Sequence, residues 1–253
     1  MDQVFTSFKA PGFDGVILRT GSDCLFDPVS LLDIPDDPAL CCKKGVTVQA
    51  GKNGKWFVKR FCHRTLLKAA AHLFKISRPL NCLRAAEWLD KAGIDTPQVA
   101  AALRKYRGLL PEFDYLITVD INGKAVFADK MPLTVELADD LTALLVKMHN
   151  AGIEHGDVNL RNIYRSVSGE WGVIDLDSCR IFKQALGIRR RRRELARLAS
   201  SFIKLAVKRG ETDMREREAA LLFLKLYHER SGIDLDAGAY WKRVVYLTGR
   251  KRK

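Results

Sequence analysis

At 253 residues, 47% of them hydrophobic, the chain can bury the core of one large domain or two lobes, which excludes a disordered protein. Its 43 Lys and Arg against 30 Asp and Glu leave a formal charge of +13, which favours phosphate-rich sugars, nucleotides, nucleic acid or an acidic membrane surface as partners. Six cysteines show neither a CxxC pair nor metal-like spacing with His, and no basic leader or run of eighteen apolar residues occurs, so the expectation is a cytosolic protein with reduced thiols, neither secreted nor membrane-spanning.

Residues 1 to 45 carry the fewest signals: Val16-Ile17-Leu18-Arg19 suits a strand, and Asp33 to Pro38 a loop. Val46 to Ala50, a Gly51-Lys52-Asn53-Gly54 turn and Lys55 to Phe61 predict a hairpin. The strand period of two puts Phe57 and Lys59 on one face, so Lys59 is either a cleft lysine beside an apolar wall or an ordinary solvated one. Thr65 to Lys75 predicts a short helix, and Ser77-Arg78-Pro79 opens a second that Gly93 closes. In that second helix Leu80, Leu83 and Glu87 stand at i, i+3 and i+7. A carboxylate on a buried stripe needs a cation, for which Lys59 is the candidate; otherwise Glu87 borders the stripe and reaches water. Gln98 to Tyr106 and Tyr115 to Val119 predict strands, and Asp120-Ile121-Asn122-Gly123 a hinge whose backbone near Val119 and Ile121 would meet an adenine.

Leu137, Leu141, Leu144, Leu145 and Met148 share one face of a helix that Gly152 terminates. His155-Gly156-Asp157 follows, with Asn162 five residues after Asp157 and Asp175 thirteen after Asn162, at the end of the apolar strand Gly172-Val173-Ile174. Asn162 to Val167 and Glu170 to Ile174, around Ser168-Gly169, predict a hairpin that brings Asp157, Asn162 and Asp175 to one edge. That is the spacing of a kinase catalytic loop and metal strand: one carboxylate accepts the proton of an attacking hydroxyl, and an amide and a second carboxylate hold magnesium, a hard ion that prefers such oxygens. Further on, Leu195, Leu198, Phe202 and Leu205 predict a helix. Asp213 and Glu216 suggest the cap of another helix, running through Leu221, Leu224 and Tyr227, and Ala237 to Leu247 a last one. Arg189 to Arg193 admits three readings: a nucleic-acid patch, disfavoured without interleaved aromatics; a solvated helix start; or an edge binding an acidic or phosphorylated sugar. The basic tail from Gly249 suits a solvated or membrane-attracted end.

His155-Gly156-Asp157-Val158-Asn159-Leu160-Arg161-Asn162 with Val173-Ile174-Asp175-Leu176-Asp177 resembles the bacterial lipopolysaccharide core sugar kinases, the Kdo and heptose kinases. The resemblance runs from about residue 45 to 205 and includes Glu87-Trp88 and Gly93-Ile94-Asp95-Thr96-Pro97. It implies an α+β, bilobal protein-kinase-like fold: an antiparallel-sheet lobe over 1–121 with the Glu-bearing helix, and a helical lobe over 122–253. It implies ATP and magnesium, a lipopolysaccharide core or lipid A-linked sugar as acceptor, no nucleic acid, and work at the anionic cytoplasmic face of the inner membrane. Asp157 would be the base, Asn159 a group steadying the transferred phosphoryl, Asn162 and Asp175 metal ligands, Lys59 the phosphate lysine and Glu87 its partner. Three features depart from protein kinases: no GxGxxG precedes Lys59, only Gly45 and Gly51; Phe57 narrows the adenine wall; and Asp177 replaces a glycine, as an extra metal ligand or a support. A kinase of similar fold acting on a protein or a small alcohol, and a nucleotide-binding scaffold, are the competing functions.

Overall fold

The computed structural model describes residues 3–10, 13–20, 23–24, 46–49, 55–62, 76–121, 125–210 and 216–249. They form two compact units, Met1–Ala86 with Pro97–Asn122 and Glu87–Thr96 with Gly123–Lys253, and the division falls inside one helix. The predicted helix at 65–75, the turn at 51–54, Gly45, Asp213 and most of the basic tail lie outside the described residues.

The first unit is built on an antiparallel sheet. β1 (Gln3–Ala10) and β2 (Phe13–Thr20) form a hairpin, with β3 (Asp23–Cys24) against β2. β4 (Val46–Gln49) pairs β5 (Lys55–Cys62) as the hairpin signature predicts. β6 (Val99–Arg107) and β7 (Leu110–Val119) complete the order β1-β2-β6-β7-β5-β4. β1 carried no clear sequence signal, and β7 begins five residues before the predicted start at Tyr115, because Leu110 to Asp114 mixes polar and apolar residues. Val99 to Leu103 are all buried, as expected of a central strand covered on both faces, and Ile17, Trp56, Val58, Tyr115 and Ile117 pack around them. Arg104 and Asp114, directly opposite in the β6–β7 ladder, form a 2.7 Å ion pair with the Asp114 side chain wholly buried.

The helix α1 (Arg78–Lys91) begins where Ser77 accepts the Leu80 N–H at 3.3 Å and ends at Gly93, whose φ of 65° is the left-handed conformation of a helix stop. The second unit continues with β8 (Ala125–Phe127) and α2 (Val135–Asn150), capped by Thr134, which accepts the Leu137 N–H at 3.2 Å. All five apolar residues predicted to share a face of α2 are buried. β9 (Ile153–Glu154), β10 (Ile163–Ser166), β11 (Trp171–Val173) and β12 (Arg180–Ile181) follow; β11-β10-β8 form one small sheet and β12-β9 another. α3 (Ile188–Arg209) packs on α4 (Glu216–Ser231) and α5 (Ala237–Thr248), and α4 also packs on α2. α4 buries Ala219, Ala220, Phe223 and Tyr227, whereas the predicted Leu221 is exposed. Small Ala219 and Ala220 let the helix approach closely on that face, while Leu222, Leu224 and Leu226 are half-buried at its sides.

Candidate active site

Asp157, Asn159, Asn162, Asp175 and Asp177 all belong to the second unit, and the loop that carries them is tied by its own side chains. Asn162 donates from Nδ2 to the Asp157 carbonyl at 2.9 Å, and its own carbonyl accepts the Ile174 N–H at 2.9 Å. One residue therefore joins the loop at Asp157 to the strand end before Asp175. With Nδ2 engaged in this way, the Asn162 Oδ1 is left as an acceptor. Asn159 caps the short turn at Leu160–Asn162: Oδ1 accepts the Arg161 N–H at 3.0 Å and Nδ2 donates to the Asp157 carbonyl at 2.9 Å. Asp157 itself is exposed. Asp175 has φ 66° and ψ 54°, and among the described residues it is the one non-glycine with positive φ. Such a conformation is uncommon for a side-chain-bearing residue, though Asp adopts it more readily than most.

Burial below the loop is polar and fully organised. The His155 ring is buried, its Nε2 3.0 Å from the Ile174 carbonyl and its Nδ1 3.4 Å from the Asp157 N–H. Glu194, wholly buried on α3, accepts the His155 N–H at 2.8 Å, the Gly156 N–H at 3.3 Å and Arg197 at 2.8 Å. Consecutive N–H groups converging on one carboxylate form an anion nest that fixes the backbone entering Asp157. Gly156 makes this possible: its φ is 85°, and a Cβ there would lie 2.5 Å from the Ser178 carbonyl oxygen. The strand side is fixed by Gly93 to Thr96. Val173 N–H bonds the Asp95 carbonyl at 3.0 Å, Thr96 Oγ1 donates to the Val173 carbonyl at 2.9 Å, and a Cβ on Gly172 would meet the Tyr164 ring at 2.5 Å.

The profile of the "Lipopolysaccharide kinase (Kdo/WaaP) family" matches residues 43–223, well over half of the chain and all of this loop. The chain belongs to that family. Among its relatives, a 3-deoxy-D-manno-octulosonic acid kinase of Vibrio vulnificus (strain CMCP6) is 32% identical over 124 residues, 48% of this chain and 51% of the relative. One of the same name from Vibrio parahaemolyticus serotype O3:K6 is 32% identical over 136 residues, 53% and 56% of the two chains. The chain spans about half the length of the curated relatives it matches. Of solved structures, a glucosamine kinase aligns over 98% of this chain and 90% of its own at 12% identity, with a TM-score of 0.47.

In this member of the Kdo/WaaP family the arginine run is divided: Arg190, Arg191 and Arg193 bind residues of the fold, whereas Arg189 is exposed. Arg190 and Arg193 ion-pair with Glu154, buried on β9 one residue before His155, the latter at 3.2 Å. Arg191 is 3% exposed and donates to the Leu186 carbonyl (2.6 Å), Tyr227 Oη (3.0 Å) and Asn150 Oδ1 (2.9 Å), with the His149 carbonyl at 3.5 Å. Arginine at the N-terminus of α3 opposes that helix's dipole, but here it lies against the C-terminal carbonyls of α2, where a cation is favoured. Behind it His149 shares a 2.8 Å hydrogen bond with Tyr227 Oη, and burial, then the Arg191 charge, hold its pKa down at about 3.

The remaining family positions divide between the units. Phe57, Lys59, Val119 and Ile121 are in the sheet unit; Lys59 lies with Nζ 5.1 Å from the Phe61 ring centroid, opposite the buried Trp56, Val58 and Arg60. The Val119 N–H is taken by the Gln98 carbonyl at 2.9 Å and the Asp120 N–H by the Lys55 carbonyl at 3.1 Å. Glu87, in the second unit, is exposed and does not share the buried face of α1, which runs through Cys82, Ala85, Ala86 and Leu89. Of the predicted stripe Leu83 is buried, Leu80 half-buried and Glu87 exposed, which fits the reading in which Glu87 borders the stripe and reaches water, and Trp88 beside it binds the Ala151 carbonyl through Nε1 at 3.0 Å. Glu194 and Glu154 escaped the sequence reading; the available signal for Glu194 was a carboxylate adjoining the apolar stripe at Leu195 and Leu198. Asn162 Oδ1, Asp175 and Asp177 give oxygen donors on one loop and strand end, a set suited to magnesium rather than to zinc or copper.

Proposed function

We propose that the chain is an ATP- and magnesium-dependent phosphotransferase acting on a hydroxyl of a lipopolysaccharide inner-core sugar, Kdo or heptose, at the cytoplasmic face of an anionic membrane. The observation that carries the reading is the double use of Asn162, which bonds the backbone of Asp157 on one side and of Ile174 on the other and so sets base and metal strand in fixed register. Family membership and the names of the relatives support the sugar acceptor. The charge of +13 supports an acidic glycolipid, and among the described residues no helix is long and apolar enough to cross a membrane.

In this reading Asp157 orients the acceptor hydroxyl and takes its proton as the oxygen bonds the γ-phosphorus and the bond to ADP breaks. Asn159 keeps the loop in shape, and its second amide hydrogen is available to the transferred phosphoryl group. Magnesium, held by Asn162 and Asp175 with Asp177 beside them, would offset phosphate charge. Lys59 would bind the phosphates with Glu87 as its partner, Phe57 would wall the base, and the backbone near Val119 and Ile121 would meet the adenine. The test is incubation with ATP, magnesium and, in turn, lipid A-linked core acceptor, a protein substrate and an amino alcohol, with products mapped by mass spectrometry. A phosphate on a core sugar is the expected product; phosphate only on protein or amino alcohol, or none, overturns the reading.

A further inference from the structure

Next to the loop, wholly within the second unit, lies a cleft of about 560 Å³ lined by Asp157, Asn159 and Asn162 on one side and by α3 on the other. Its size is that of a small-molecule site. The α3 wall is a single stripe, Arg197, Ser201, Lys204 and Lys208, at i, i+4, i+7 and i+11. Arg161, Arg197, Lys204 and Lys208 face it against two carboxylates, Asp129 and Asp157. Two of those cations are already engaged: Arg197 with Glu194 at 2.8 Å, and Arg161 with Asp129 at 3.7 Å. Lys204 and Lys208 make no ion pair among the described residues, and like charges at i and i+4 repel on a helix surface. An anion between them would relieve that repulsion.

The wall is anchored at both ends. Ser201 Oγ accepts the Leu160 N–H at 3.1 Å, which fastens α3 to the catalytic loop. Arg209 donates to the Met131 carbonyl at 2.8 Å and to the Asp129 carbonyl, which fastens the last turn of α3 to the far rim. With a rise of about 1.5 Å per residue, Lys204 and Lys208 stand roughly 4.5 and 10 Å along the axis from Ser201, one to two turns from the loop. Leu205 and Leu247 supply apolar surface beside them.

We propose that Lys204 and Lys208 form the anion subsite of the acceptor: they hold a carboxylate or phosphate of the saccharide whose hydroxyl lies at Asp157. The proposal rests on the phosphotransferase reading and adds to it the feature by which acidic acceptors are selected over neutral ones. Calorimetric titration of the full chain tests it, using a methyl glycoside of 3-deoxy-D-manno-octulosonic acid against its carboxyl-reduced form, and a hexose 1-phosphate against the hexose. The wild type is expected to bind the charged member of at least one pair about tenfold more tightly, a difference of ~1.4 kcal/mol. Which pair responds separates carboxylate from phosphate recognition. Lys204→Gln with Lys208→Gln is expected to abolish the preference and raise the acceptor KM, with affinity for an ATP analogue unchanged as the check on folding. Wild-type indifference to charge, or a double variant that keeps the preference, overturns it. Sugar phosphorylation without charge preference removes the subsite alone. A preference lost in the double variant, in a chain that phosphorylates no saccharide, upholds the subsite and removes the function.

Discussion

Glu194 shows how much of this site depends on a residue with no chemical part in it. Its buried carboxylate satisfies two loop N–H groups and the partly exposed Arg197, so Glu194→Ala would strand the two donors and leave Arg197 to the solvent of the cleft. Leaving a buried donor unsatisfied costs about 1–3 kcal/mol. Urea unfolding should show a loss of that size, and an unchanged midpoint would mean that the loop holds itself. His149 gives a pH prediction with a definite sign. Its folded pKa is lowered from 6.5 to about 3, so between those values the unfolded chain binds a proton that the folded chain does not. Its contribution is complete above pH 6.5 and is lost as pH falls, at up to ~1.4 kcal/mol per unit. Urea midpoints at pH 7, 6 and 5 should decline less steeply in His149→Gln than in the wild type. Equal slopes would show that His149 titrates normally.

Among the elements, the β10–β11 hairpin and α2 were legible because their signals are local: a period, a turn pair and fixed spacings within 25 residues. The part played by Arg191 within the arginine run could not be read from α3 alone, because it answers to the end of α2, some forty residues earlier in the chain. Of the two readings of Glu87 the structure shows the one in which it borders the buried face, because Leu83 is buried with the small Ala85 and Ala86 while Glu87 lies at the edge, exposed. The docking of Asp95 on β11 was equally invisible, since it depends on Gly172 admitting a tyrosine ring and a carbonyl within the radius of a side chain. Gly172→Ala must push these apart, and overpacking of this kind costs ~1–3 kcal/mol. Thermal unfolding should show a midpoint lowered by several degrees, whereas an unshifted midpoint would mean that the strand yields freely.

At the scale of the whole molecule, a seven-stranded antiparallel sheet unit carries Lys59, and a helical unit carries Asp157, Asn162 and Asp175. The proposed phosphotransferase would need both, the lysine for phosphates and the loop for proton and metal. Asp175→Asn is accordingly expected to weaken magnesium-nucleotide binding itself, read by calorimetric titration at varied magnesium, and an unchanged affinity would remove Asp175 from the metal site. The central claim is that Asp157 serves the transition state rather than the resting complex. Comparing Asp157→Asn with the wild type for acceptor phosphorylation and, in parallel, nucleotide affinity tests it most directly: the account predicts a fall in kcat of about 10²–10⁴ with nucleotide affinity kept within a few-fold. Transfer at the wild-type rate, or a loss explained by failure to bind nucleotide, would contradict it.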